Sequence, residues 1–169
     1  SKNRDNTSSN YNDWIVYHHK NATANDKKLK LNTNDAVSTT NEWGDTDPTS
    51  TVYSVHSSGD GATNDGTDKI ISYAFTGKQG YSKFGSYSGN NNANGTFVFL
   101  GFRPAYLIVK KTDGTDNWVI FDNKRSSFNP VDDQLYADLN AAEADADAVD
   151  FLANGVKFRG NGGGYNGNG

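Results

Sequence analysis

Residues 12–20 read NDWIVYHHK, and residues 116–124 read DNWVIFDNK. Each has an acid and an amide, a Trp, three apolar residues, two polar residues and a Lys. One such match is ordinary strand chemistry, but this pair belongs to a collinear series. Lys2, Asp5 and Thr7 match Lys110, Asp113 and Thr115 at an offset of 108. A four-residue insertion near Ser8–Tyr11 then sets Trp14 against Trp118 at 104. KLNTNDA at 30–36 matches DLNAAEA at 138–144, again at 108. VYSVHSSGDGATNDG at 52–66 and VKFRGNGGGYNGNG at 156–169 share a strand followed by a Gly/Asn loop. Landmarks in the same order twice mark an internal duplication. The fold must therefore be one that a single unit can build twice. Residues 12–66 are expected to superpose on 116–169, with Trp14 and Trp118 as equivalent buried anchors.

The duplicated unit reads as strands and turns. Strand-like runs include DWIVYH (13–18), KLKLN (28–32), TVYSVH (51–56), KIISYAF (69–75) and YSKFGSY (81–87). TFVFL (96–100), AYLIVKK (105–111), NWVIFD (117–122) and GVKFRG (155–160) follow. In KIISYAF, Ile71, Tyr73 and Phe75 share one face by period-two alternation. TFVFL, YLIV and WVIF are apolar at nearly every position, which predicts cover on both faces. Gly and Asn fill the separators, such as GNNNANG at 89–95, where they tolerate positive φ cheaply. Short strands at this spacing predict an all-β, antiparallel sandwich or jelly roll. LNAAEADADAVDFL at 139–152 is Ala-rich and reads as either a short helix or an ordered loop.

The repeat boundaries are expected at 1–80 and 81–169. After its Gly-rich loop the first copy continues into TDKIISYAF, which the second copy lacks. The second copy is preceded by GFRPAYLIV, which the first lacks. Each half is thus expected to miss one strand and to present an unpaired edge. Completion is expected from neighbouring subunits or from a longer polypeptide.

Composition excludes several classes. The chain of 169 residues has no Cys, so thiol nucleophiles, disulfides and thiolate metal sites are out. A net charge of −4 argues against nucleic acid, whose phosphates require a basic surface. No apolar run is long enough to span a membrane as a helix.

Candidate chemistry is sparse. His18 and His19 are expected to alternate faces of a strand, so they cannot share a metal with each other; His56 stands apart. Asp60, Asn64, Asp65 and Asp68 offer hard oxygens for Ca²⁺, but without EF-hand spacing or a distal Glu. No metal site is expected. Asp132 with Asp133, or Glu143 with Asp145 and Asp147, supply carboxylates of the glycosidase kind, with nothing to set any two across a cleft. GNGGGYNG follows the wrong element for a phosphate cradle. No catalytic residue and no cofactor is expected. Trp43, Tyr53 and Tyr165 remain as aromatic candidates for stacking on sugar rings.

The stretches KNRD…WIVYHHK, WGDTDPTSTVYSV, GYSKFGSY, GFRPA, WVIFDNKR and NPVDDQLY together resemble a repeat family in virion proteins of marine bacteriophages. The resemblance spans nearly the whole chain. It implies a non-enzymatic structural or receptor-facing component of a phage particle, of tail-fibre or decoration type. Such a module would be extracellular, in the virion, and assembled with other virion chains as a homo-oligomer. The alternative is a lectin-like module that recognises host surface glycans.

Overall fold

Each Trp run opens a hairpin, and the two hairpins are built alike. The computed structural model describes residues 1–5, 12–56 and 62–168. The chain divides into two units, Ser1–Phe75 and Thr76–Gly169, five residues before the boundary read from the sequence. Unit 1 holds β1 (Lys2–Asn3), β2 (Ile15–Val16), β3 (Lys27–Lys30), β4 (Ser38–Thr39) and β5 (Ile70–Ile71). Unit 2 holds β6 (Phe97–Phe99), β7 (Tyr106–Val109), β8 (Val119–Asp122), β9 (Val131–Tyr136), β10 (Ala144–Leu152) and β11 (Gly155–Phe158). It ends in one helical turn, α1 (Gly163–Asn166). The fold is all-β, antiparallel and sandwich-like.

The repeat is visible bond by bond. In unit 1, Ile15 lies opposite Lys30 and Val16 opposite Leu29. In unit 2, Val119 lies opposite Tyr136 and Ile120 opposite Leu135. The Trp14 carbonyl accepts from Leu31 N–H at 3.0 Å, and the Trp118 carbonyl from Ala137 N–H at 3.1 Å. Trp14 N–H donates to Asn32 Oδ1 at 2.7 Å, and Trp118 N–H donates to Asp138 Oδ1 at 2.9 Å. Ser1 exchanges two backbone bonds with Ile15, as the equivalent Val109 pairs with Val119. Before the insertion the offset is therefore 108. At the end of the hairpin it is 106, because Asn32 answers to Asp138. The two Leu-Asn motifs, matched at 108 from sequence, are two residues out of register. Asn and Asp can substitute here because both present an Oδ1 acceptor. Asp138→Ala is expected to lower stability by about 1 kcal/mol, the usual worth of such a bond. Asp138→Asn should not, since it keeps Oδ1 and replaces a buried Oδ2 that has no partner among the described residues. Urea unfolding of both variants measures the difference.

Unit 2 is built on a curled six-stranded sheet in the order β6-β11-β10-β9-β8-β7. Its inward face carries Val109, Val119, Phe121, Val131, Val149, Phe151, Val156 and Phe158. Tyr87 and Tyr165 close over this core. Main chain approaches so closely at Gly95 that a Cβ there would lie 2.7 Å from Phe158. In unit 1, β2-β3-β4 form one small sheet and β1-β5 another. Ile15, Trp43 and Ala62 are buried together, with Tyr17 against them.

Four expectations need correction. Residues 144–152 form neither helix nor loop but the longest strand, β10. Ala and Asp alternate along ADADA, and Ala148 is fully buried, so the pattern is period two with small inward residues. A register shift between Asp145 and Val149 accommodates the crowding. TVYSVH and YSKFGSY form no strands. TFVFL and YLIV are covered on one face only, for Phe97, Phe99, Tyr106 and Ile108 are exposed, whereas in WVIF Ile120 is half-buried and the other three residues are buried. Trp118 is buried, but Trp14 is only half-buried. Its ring meets Tyr73, stacked at 5.9 Å, and the Lys2 ammonium.

Candidate functional site

Unit 2 contains a polar hollow of about 240 Å³. Asp116 and Asn117, in the loop before β8, form one wall. Gln134 and Tyr136 project from β9, and Gly162–Gly164 with Tyr165 form the rim at α1. Asp116 turns its carboxylate onto the glycines: a Cβ at Gly164 would stand 2.9 Å from Oδ1, and one at Gly163 3.0 Å from Oδ2. A side chain at either position would push this carboxylate aside. Tyr165 stacks on Phe158 at 5.9 Å and meets Phe121 edge-on at 5.8 Å, which fixes its ring at the rim. The Tyr165 carbonyl accepts from the Tyr87 hydroxyl. Burial pushes the Tyr87 phenol far above its ordinary value, so it stays a donor. A carboxylate, two amides and two phenol rings around a shallow hollow suit hydroxyl-rich ligands.

The three aromatic candidates from sequence do not form one groove. Trp43 is 4% exposed; Tyr17 packs edge-on at 5.6 Å, and its Nε1–H donates to the Lys27 carbonyl at 2.9 Å. A covered ring offers no face to a sugar, so Trp43 is a core anchor. Tyr53, in unit 1, is 46% exposed in irregular chain. Tyr165 borders the hollow. Sequence reading passed over Asp116, Asn117, Gln134 and Tyr136, because three distant segments supply the site. The run of glycines before Tyr165 was the available signal, and it was read as a turn.

The acidic candidates serve local structure. Asp132 and Asp133 both hold the Ser126 hydroxyl, at 3.0 and 2.8 Å. Glu143 pairs with Arg125 at 2.8 Å. Asp145 is exposed. Asp68 accepts from the Asn3 amide at 2.9 Å, and Asp65 accepts through its carbonyl from Asp68 N–H. Asp60 and the Asp147 side chain lie outside the described residues. His18 and His19 follow β2 in a turn with rings stacked at 5.2 Å, instead of alternating across a strand. His56 lies 3.4 Å from the Asn41 amide. Among the described residues no three His, Asp or Glu side chains converge as a metal centre would need. No helix among them is long and apolar enough to cross a membrane.

Two carboxylates are held in their charged form. Burial opposes this at Asp13, but bonds from Lys30 at 2.7 Å and Asn32 at 2.8 Å outweigh it and lower its pKa. At Asp122 burial is likewise overcome by Arg125 and the Lys124 N–H. Because both folded values lie below the unfolded one, the unfolded chain takes up protons first as pH falls. Their contribution is complete above about pH 4 and is lost below it. Urea midpoints should fall in that window, and less steeply in the Asp13→Asn, Asp122→Asn double variant.

No curated protein matches this chain, and no solved structure does. A family model described as a domain of unknown function, DUF7483, matches residues 2–169 and so runs through both units. The chain belongs to the DUF7483 family.

Proposed function

We propose that this chain is a non-enzymatic structural module of a bacteriophage virion, of tail-fibre or decoration type, which assembles through its sheet edges. One observation carries the assembly reading. Both end strands of the six-stranded sheet expose large apolar side chains: Phe97 and Phe99 on β6, Tyr106 and Ile108 on β7. Monomeric β-proteins usually blunt such edges with charge, proline or bulges, because an unpaired apolar strand templates association. Strand β6 carries such a charge, since Lys83 Nζ donates to the Phe99 carbonyl at 2.6 Å, so β7 is the more open edge. The phage setting rests on the resemblance of the sequence to virion repeats.

At micromolar concentration the purified chain should sediment as an oligomer and release no reducing sugar from bacterial surface polysaccharide. A monomer that hydrolyses the polymer would contradict the reading. The hollow beside Tyr165 favours a second reading, a lectin-like module for host glycans. Retention on a glycan array that is lost in Gln134→Ala would support it.

A further inference from the structure

We propose that the hollow of unit 2 binds a primary ammonium group, carried by a sugar whose amine is not acetylated. The proposal rests on the lectin-like reading above and names its class of sugar.

Unit 1 shows what fills the equivalent place. Ile15 lies opposite Lys30 and Val119 opposite Tyr136, so Tyr136 answers to Lys30. Counting back from Trp14 and Trp118, Asn12 answers to Asp116 and Asp13 to Asn117. In unit 1 the carboxylate before Trp14 holds an ammonium from β3: Lys30 Nζ lies 2.7 Å from Asp13 Oδ2. A second ammonium, that of Lys2, donates to Asn12 Oδ1. Unit 2 keeps a carboxylate before its Trp, one residue earlier at Asp116, but changes what faces it. Tyr136 stands at the Lys30 position, and Lys110, which answers to Lys2, donates to the Lys111 carbonyl at 2.5 Å.

Asp116 is therefore a carboxylate without its cation. Among the described residues no Lys or Arg pairs with it, and no Lys, Arg or His lines the hollow. Its Oδ1 accepts from Asn117 N–H at 2.9 Å, which leaves Oδ2 for a ligand. The side-chain amides of Asn117 and Gln134 and the Tyr136 hydroxyl line the same hollow, with no hydrogen-bond partner among the described residues. An anion would be repelled here, whereas an ammonium gains a charge-assisted bond. Two phenol rings border the hollow, and aromatic rings attract ammonium groups. The amides and hydroxyl remain for the hydroxyls of the sugar. A volume of about 240 Å³ admits one sugar ring and lies below the range of about 300–1,000 Å³ usual for larger ligands.

The test is an NMR titration of the intact chain with D-glucosamine, D-glucose and N-acetyl-D-glucosamine. Glucosamine should shift the amides of Gly163 and Gly164 and bind at least about tenfold more tightly than the other two, as a charge-assisted bond exceeds a neutral one. Asp116→Asn keeps an Oδ1 acceptor for the Asn117 N–H, so Tm should hold while the preference disappears. Tyr136→Lys returns the unit 1 arrangement and supplies the ammonium from β9, so it should abolish glucosamine binding. Equal or tighter binding of the two uncharged sugars would overturn the ammonium site and leave the lectin-like reading. A preference for glucosamine that survives both substitutions would overturn the hollow as its place. Binding of none of the three would overturn this inference and the lectin-like reading together.

Discussion

Glu42→Ala is expected to destabilise unit 1 by about 3–5 kcal/mol, the range for removing one partner of a buried ion pair. Glu42 is fully buried, with its carboxylate 3.2 Å from Lys28 Nζ and 2.6 Å from the Thr63 hydroxyl. Lys28 comes from β3, and its side chain is only 10% exposed. Truncation removes the carboxylate paired with this ammonium and leaves a cavity beside Thr63. Replacing both residues, as Lys28→Met with Glu42→Met, should cost much less, because no buried charge then remains. Trp43 fluorescence in urea reports the transition. A single-variant loss below about 1 kcal/mol would show that the pair behaves as an exposed one.

Phe158→Ala should destabilise unit 2 by a similar amount, about 3–5 kcal/mol. Phe158 is fully buried, with Tyr87 stacked at 4.9 Å and Tyr165 at 5.9 Å. Its removal takes the middle ring out of that stack. The backbone cannot close the gap easily, since Phe158 is bonded through N–H to Thr96 and through C=O to Gly95, both at 3.1 Å. The loss of Tm should be accompanied by a change in Tyr165, and so in the hollow it borders. Phe128→Ala, at a side chain 83% exposed, is the control that should leave Tm unchanged.

How much of this was legible depended on the residue. YLIV, WVIF and GVKF carry apolar residues at strand spacing between turn signals, and each became a strand, β7, β8 and β11. The duplication was legible because Trp and the residues after it recur in order. Its register was not, because Asn32 and Asp138 do the same work with different letters. Strand β10 was hidden by alanine, whose helix propensity outweighs its pattern when read alone. Fully buried Ala148 shows tertiary packing overriding that propensity. Trp43 misled for the opposite reason. Its neighbours are polar, but Glu42 is polar because it pairs inside the core. The hollow could not be read in advance, since nothing in 116–117, 134–136 or 162–165 alone marks a site.

The most direct test of edge assembly is residue-resolved amide exchange along β7, followed from dilute to concentrated solution. Leu107 and Val109 face β8 and should exchange slowly at every concentration. Tyr106 and Ile108 should exchange fast in the dilute chain and slow down as concentration rises. Phe158, fully buried with its N–H bonded to the Thr96 carbonyl, supplies the slow reference. Protection of Tyr106 and Ile108 at the lowest concentration, or exchange there that stays fast at the highest, would contradict the account.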